Sequence, residues 1–176
     1  FTKLICAETN FNLNKNNYEV NMRFITKVIT SFSLCFILAG CMSTNVSLDV
    51  KATDNLNLNQ FDEALPVVLK VYQLSDIQTF KTATFEELWK SDKSVLANSL
   101  ITLEERTIHP SEKSEIKLEQ AENAKFVAIV ALFRDRNGDN WKAYYPLADG
   151  PVKLSTSLDV LVTNNEVQLP GVDKAE

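Results

Sequence analysis

Polar and apolar positions alternate through Val46, Leu48, Val50 and Ala52, and this period of two predicts a half-buried strand ending near Thr53. Residues 54–66 (DNLNLNQFDEALP) have no strand period and close on a proline that cannot donate to a sheet ladder, so they read as a long connection. Leu58 and Phe61 within it have no evident core to enter. Val67–Leu74 (VVLKVYQL) resumes as a second, dense strand. Thr84 followed three residues later by Glu87 fits a capping box, which starts a short helix with Phe85, Leu88 and Trp89 on one side. A second helical turn is expected from Asp92 to Leu96, and these apolar residues are expected to plug one end of a sheet.

Leu100–Ile108 reads as a third strand stopped by Pro110, and Ile116 and Leu118 alternate with Lys117 and Glu119 in a fourth. Residues 126–133 (FVAIVALF) are apolar throughout, as in a central strand covered on both faces. Asn137-Gly138 separates that run from residues 141–147 and predicts a hairpin. Val152, Leu154, Thr156, Leu158, Val160 and Val162 alternate again, and Val167 and Leu169 close the pattern. About eight strands with one or two short helices inserted after the second imply an all-β fold, an antiparallel two-sheet β-sandwich over residues 46–170 with a short tail at 171–176.

The N-terminal part has a different character. The first 21 residues are rich in Asn and lack an apolar period, which makes Met22 the better start and residues 1–21 an untranslated or non-native extension. From Met22, Arg23 and Lys27 form a basic region, residues 28–38 an apolar run, and Ala39-Gly40 lead to Cys41. A predominantly apolar run of eleven residues falls short of the roughly 20 that span a bilayer, so it reads as the core of a cleaved export signal over residues 22–40. Leu38-Ala39-Gly40-Cys41 looks like a bacterial lipobox, after which Cys41 becomes an acylated N-terminus on a short tether, residues 41–45. Cys6 and Cys35 would be lost with the leader, leaving no disulfide within the exported chain. Met42, in place of Asp, favours sorting to the outer membrane.

Composition narrows the function. The 176 residues are 45% apolar and 23% charged, values of a globular domain. With 18 Lys and Arg against 23 Asp and Glu the chain is acidic, which argues against nucleic acid as a partner. Past residue 40 the balance is 14 against 21, or −7. One histidine and one lipid-bearing cysteine cannot build a hydrolase triad or a zinc site, so catalytic and metal-ligating residues are expected to be none. His109, beside Pro110, reads as a structural strand-end residue, and Glu104-Glu105 would diverge on a strand. Asp135, Asn137 and Asp139 match the spacing of a calcium loop but lack its distal Glu. Trp141, Tyr144 and Tyr145 leave one alternative open: a lipid-anchored carrier holding a small ligand between its sheets, with Trp141 and Tyr145 on one face.

Several pieces recur in a known order: the lipobox, the first strand and long loop, Pro66-Val67-Val68-Leu69-Lys70-Val71-Tyr72-Gln73-Leu74, Phe80 with Phe85-Glu86-Glu87-Leu88-Trp89, then Phe126-Val127-Ala128-Ile129-Val130-Ala131-Leu132-Phe133-Arg134 and Trp141. In this order, over about residues 38–147, the chain resembles the type VI secretion lipoprotein family, TssJ, also called SciN or VasD. Where members usually read Pro-Gly-Glu after the third strand, Pro110-Ser111-Glu112 stands here. The resemblance implies a transthyretin-like β-sandwich that is not an enzyme and carries no cofactor beyond acyl chains on Cys41. It implies a domain facing the periplasm of a Gram-negative bacterium, moored to outer-membrane lipid. It further implies binding to the periplasmic C-terminal region of the inner-membrane subunit TssM, with TssL reached indirectly. The family's contact is made by the loop between the first two strands. By position that loop is Asn55, Leu56, Asn57, Leu58, Asn59, Gln60, Phe61, Asp62, Glu63, Ala64 and Leu65.

Overall fold

A computed structural model describes residues 44–136, 138–148 and 154–171. The leader, Cys41 and the start of its tether lie outside the described residues, as do Asn137, Val152 and residues 172–176. Eight strands run in the order β1 (Asn45–Ala52), β2 (Val67–Leu74), β3 (Leu100–Ile108), β4 (Lys113–Glu119), β5 (Phe126–Ala131), β6 (Lys142–Pro146), β7 (Thr156–Val162) and β8 (Val167–Gln168). They form two four-stranded sheets, β4-β1-β7-β8 and β3-β2-β5-β6. The sandwich core is built from Val46, Leu48 and Val50 of the first sheet together with Leu69, Val71 and Ile129 of the second, all buried. The apolar phase of β1 and the two-faced apolar run of β5 therefore sit where their patterns place them.

The expected antiparallel order has one exception. β1 pairs with β4 antiparallel but with β7 parallel, Val46 opposite Thr156 through Ala52 opposite Val162. Alternation reports which face is buried and carries no information about direction, so the pattern alone could not show this. The same pairing explains why β7 starts at Thr156 although alternation begins further upstream. Leu154 precedes the β1 residues available for pairing and stands 71% exposed.

Three short helices, α1 (Gln78–Thr82), α2 (Phe85–Lys90) and α3 (Asp92–Leu96), follow β2. The expected capping box of α2 is present: Glu87 N–H donates to Thr84 Oγ1, and Thr84 N–H donates to Glu87 Oε2. These helices do not plug an end; they cover the outer face of the β2-containing sheet. Alternate β2 side chains show it. Gln73 points inward, donating to Glu119 O at 2.8 Å and accepting from Ala121 N–H at 2.8 Å, and so joins the two sheets. Lys70 and Tyr72 point outward and both reach Asp92 of α3, at 2.7 and 3.0 Å. Phe80 of α1 meets the Tyr72 ring edge-on at 6.2 Å. A third layer over β2 is why that strand is apolar or satisfied on both faces.

Two further contacts hold the layer. Lys142 Nζ donates to the carbonyls of Phe80, Lys81 and Ala83 at 3.2, 2.8 and 2.9 Å, occupying groups a helix end leaves unpaired. Burial lowers the Lys142 pKa. Burial and the Asp92 carboxylate raise that of Tyr72. Burial opposes ionisation of Asp92, yet bonds from Lys70, the Lys93 amide and Tyr72 together outweigh it and its pKa falls.

Candidate functional site

The β1–β2 connection crosses from one sheet to the other and is tied at both flanks. Leu56 is fully buried and Asn57 nearly so. Asn57 takes a positive φ of 47°, a conformation asparagine tolerates better than most residues. Its N–H donates to Asn164 O at 3.0 Å, and the next amide, Leu58 N–H, donates to Asn164 Oδ1 at 2.8 Å. Leu65 N–H donates back to Leu56 O at 3.0 Å, closing the base. The loop is thus bolted to the β7–β8 turn through Asn164 and to the β5–β6 turn through Asn57.

Asn59 organises the tip. Its Oδ1 accepts from the amides of Phe61 (2.8 Å) and Glu63 (3.0 Å), and its Nδ2 donates to Glu63 Oε2 at 2.7 Å. Asp62 turns the chain at φ 58° and its amide donates to Asn59 O. Side-chain amides that imitate backbone turns are what such a stretch needs in place of a ladder. The consequence is a fixed hairpin-like finger with Phe61 at its end, 72% exposed. A large apolar side chain held this far into solvent by a bonded backbone is a contact surface lacking its counterpart.

The eleven residues expected to bind a partner therefore divide. Asn55, Gln60, Phe61, Asp62 and Glu63 are exposed; Leu58, Asn59, Ala64 and Leu65 are half-buried; Leu56 and Asn57 face inward and serve as scaffold. Reasoning from sequence missed Asn59 as hub and Asn164 as bracket, although the run of asparagines at positions 55, 57 and 59 carried the signal.

Elsewhere the side chains give little chemistry. His109 is exposed, with its main-chain amide bonded to Glu112 Oε2. Glu104 and Glu105 diverge toward Arg106 and Lys70. Among the described residues no group of three His, Cys, Asp or Glu could hold a metal, and no helix is long and apolar enough to cross a membrane. A groove of about 660 Å³ lies between β6 and the chain around β8, lined by Tyr144, Tyr145, Leu169 and Pro170. Trp141 does not join it; that ring is buried and meets Phe85 edge-on at 5.2 Å.

A family model described as Type VI secretion lipoprotein, VasD, EvfM, TssJ matches residues 44–165. The chain belongs to this type VI secretion lipoprotein family. That is a family of envelope-associated secretion components, not of enzymes. Among solved structures the chain is similar to Serratia marcescens Lip, a membrane-bound component of the type VI secretion system (19% identity, TM-score 0.67, 72% of this chain and 96% of that one). It is equally similar to the T6SS lipoprotein TssJ1 from Pseudomonas aeruginosa (22%, 0.67, 76% and 99%). A chain of a structure described as the T6SS protein TssM C-terminal domain from EAEC also matches (20%, 0.59, 73% and 98%). At these identities the likeness shows the fold, the sandwich of the TssJ lipoproteins. No curated protein sequence matches.

Proposed function

We propose that this lipoprotein is a mechanical tether. Acyl chains on Cys41 moor it in the outer membrane, and the β1–β2 finger grips the periplasmic C-terminal region of TssM, linking the two membranes without turnover. Phe61 supports the reading most directly, because a rigid loop that presents one large apolar residue loses little entropy on docking. Polarity agrees. β1 runs from Asn45, a few residues after Cys41, to Ala52, and its eight residues carry the chain roughly 25 Å at about 3.3 Å each before the finger begins. The finger thus begins a strand's length from Asn45.

The test is co-purification with TssM from cells making the full lipoprotein or its Phe61→Asp variant. Capture by the parent and loss in the correctly localised variant are expected. Equal capture would remove the finger from the account.

A further inference from the structure

The β5–β6 turn links the finger to a second exposed feature. Arg134, whose main-chain N–H donates to Asn57 Oδ1 at 2.8 Å, is two residues from Arg136, whose guanidinium lies over the Phe85 ring at 3.8 Å. Phe85 in turn packs between buried Trp141, at 5.2 Å, and Trp89, at 6.2 Å. Trp89 is 49% exposed, with the Lys90 ammonium 4.9 Å from its ring. An aromatic ladder therefore climbs from the core to solvent and ends in a half-uncovered tryptophan.

Arginine is concentrated at this place, with Asp135 between the two guanidinium-bearing residues and Asp139 in the same turn. The whole sequence carries four arginines against a net charge of −5, and two of the four, Arg134 and Arg136, stand in this turn. Neither makes an ion pair among the described residues, and both are exposed. Exposed tryptophan and arginine set side by side are the residues that dominate the energetics of protein interfaces.

We infer that Trp89, Phe85, Arg134 and Arg136 form a second contact surface, adjoining the finger, for a carboxylate-bearing segment of the same protein partner. Trp89 enters an apolar recess of that segment, and the two guanidiniums take its carboxylates, which they match in geometry. Tryptophan and cations also suit an anionic lipid surface. Position decides against it: the surface lies at the finger end of the sandwich, a strand's length from the end where the lipid-bearing residue precedes Asn45.

The inference rests on TssM being the partner, so the experiment separates the two. The purified periplasmic region of TssM is titrated calorimetrically into the parent domain and into the Phe61→Asp, Trp89→Ala and Arg134→Glu/Arg136→Glu variants, from about 50 to about 300 mM NaCl. Trp89→Ala is expected to weaken binding about tenfold or more. The double charge reversal should do the same and flatten the salt dependence, with circular dichroism unchanged in each. Loss of binding in Phe61→Asp alone, with the other variants at parental affinity, overturns the second surface and leaves the tether standing. Absence of binding by the parent overturns both. If vesicles of phosphatidylcholine and phosphatidylglycerol in equal parts retain the parent but not Trp89→Ala, the surface serves a membrane and the acidic segment is wrong.

Discussion

Asn57 Oδ1 accepts the Arg134 amide at 2.8 Å while Asn57 Nδ2 donates to Pro66 O at 3.0 Å, so one buried side chain joins the two ends of its own loop region to a turn of the opposite sheet. Asn57→Ala strips both part-buried bonds, from the Arg134 amide and to the Pro66 carbonyl, at a cost of about 1–3 kcal/mol, and alanine tolerates the positive φ less well. A lowered Tm and faster amide exchange at Leu58 and Leu65 are the expected outcomes. Exchange at parental rates would show that the finger is held by other means.

The Lys70–Asp92–Tyr72 cluster fastens the helical layer to the sheet. Asp92→Ala leaves the Lys70 ammonium, 2.7 Å from its lost partner, buried without its closest counter-charge, for which about 3–5 kcal/mol of destabilisation is expected. Replacing both, Lys70→Met with Asp92→Leu, should recover most of that loss in denaturant unfolding. A double variant no better than the single one would mean that the cluster acts through shape rather than charge.

The same cluster sets the pH limits. The Asp92 pKa is lowered in the folded chain, so its contribution is present above the ordinary carboxyl range near 3.8 and is lost as pH falls through the depressed folded value. The Tyr72 pKa is raised, so its contribution is intact below the ordinary phenol value of 10.0 and declines as pH rises beyond it. Thermal unfolding of the Tyr72→Phe variant should therefore show a weaker alkaline decline than the parent. Superimposable alkaline limbs would contradict the assignment.

Lys142 closes the end of α1 by donating to three carbonyls. Lys142→Met keeps the aliphatic stem and removes every donor, and unfolding free energy should drop by about 1–3 kcal/mol with faster exchange confined to residues 78–84. A loss spread evenly over the sandwich would argue that the stem, not the ammonium, carries the contact.

Much of the architecture was legible because burial imposes a period. Val46, Leu48 and Val50 marked one face of β1, residues 126–133 an enclosed strand, and Thr84 with Glu87 the start of α2. What stayed hidden depended on partners distant in sequence. Nothing in Thr156–Val162 discloses that it runs parallel to β1, and α1 was not expected although Asp76 Oδ1 accepts the Gln78 amide at 2.9 Å where that helix begins. The partner of the outward Lys70 is Asp92, 22 positions away. Leu58 and Phe61 were rightly seen to lack a core, but Leu56, two residues earlier, has one.

The central claim is that the Phe61 finger grips TssM, and titration calorimetry of the purified TssM periplasmic region into domain residues 42–176 tests it most directly. Saturable binding by the parent, with no heat of binding from Phe61→Asp at an unchanged Tm, is the result this account predicts. Equal affinity for both proteins would contradict it.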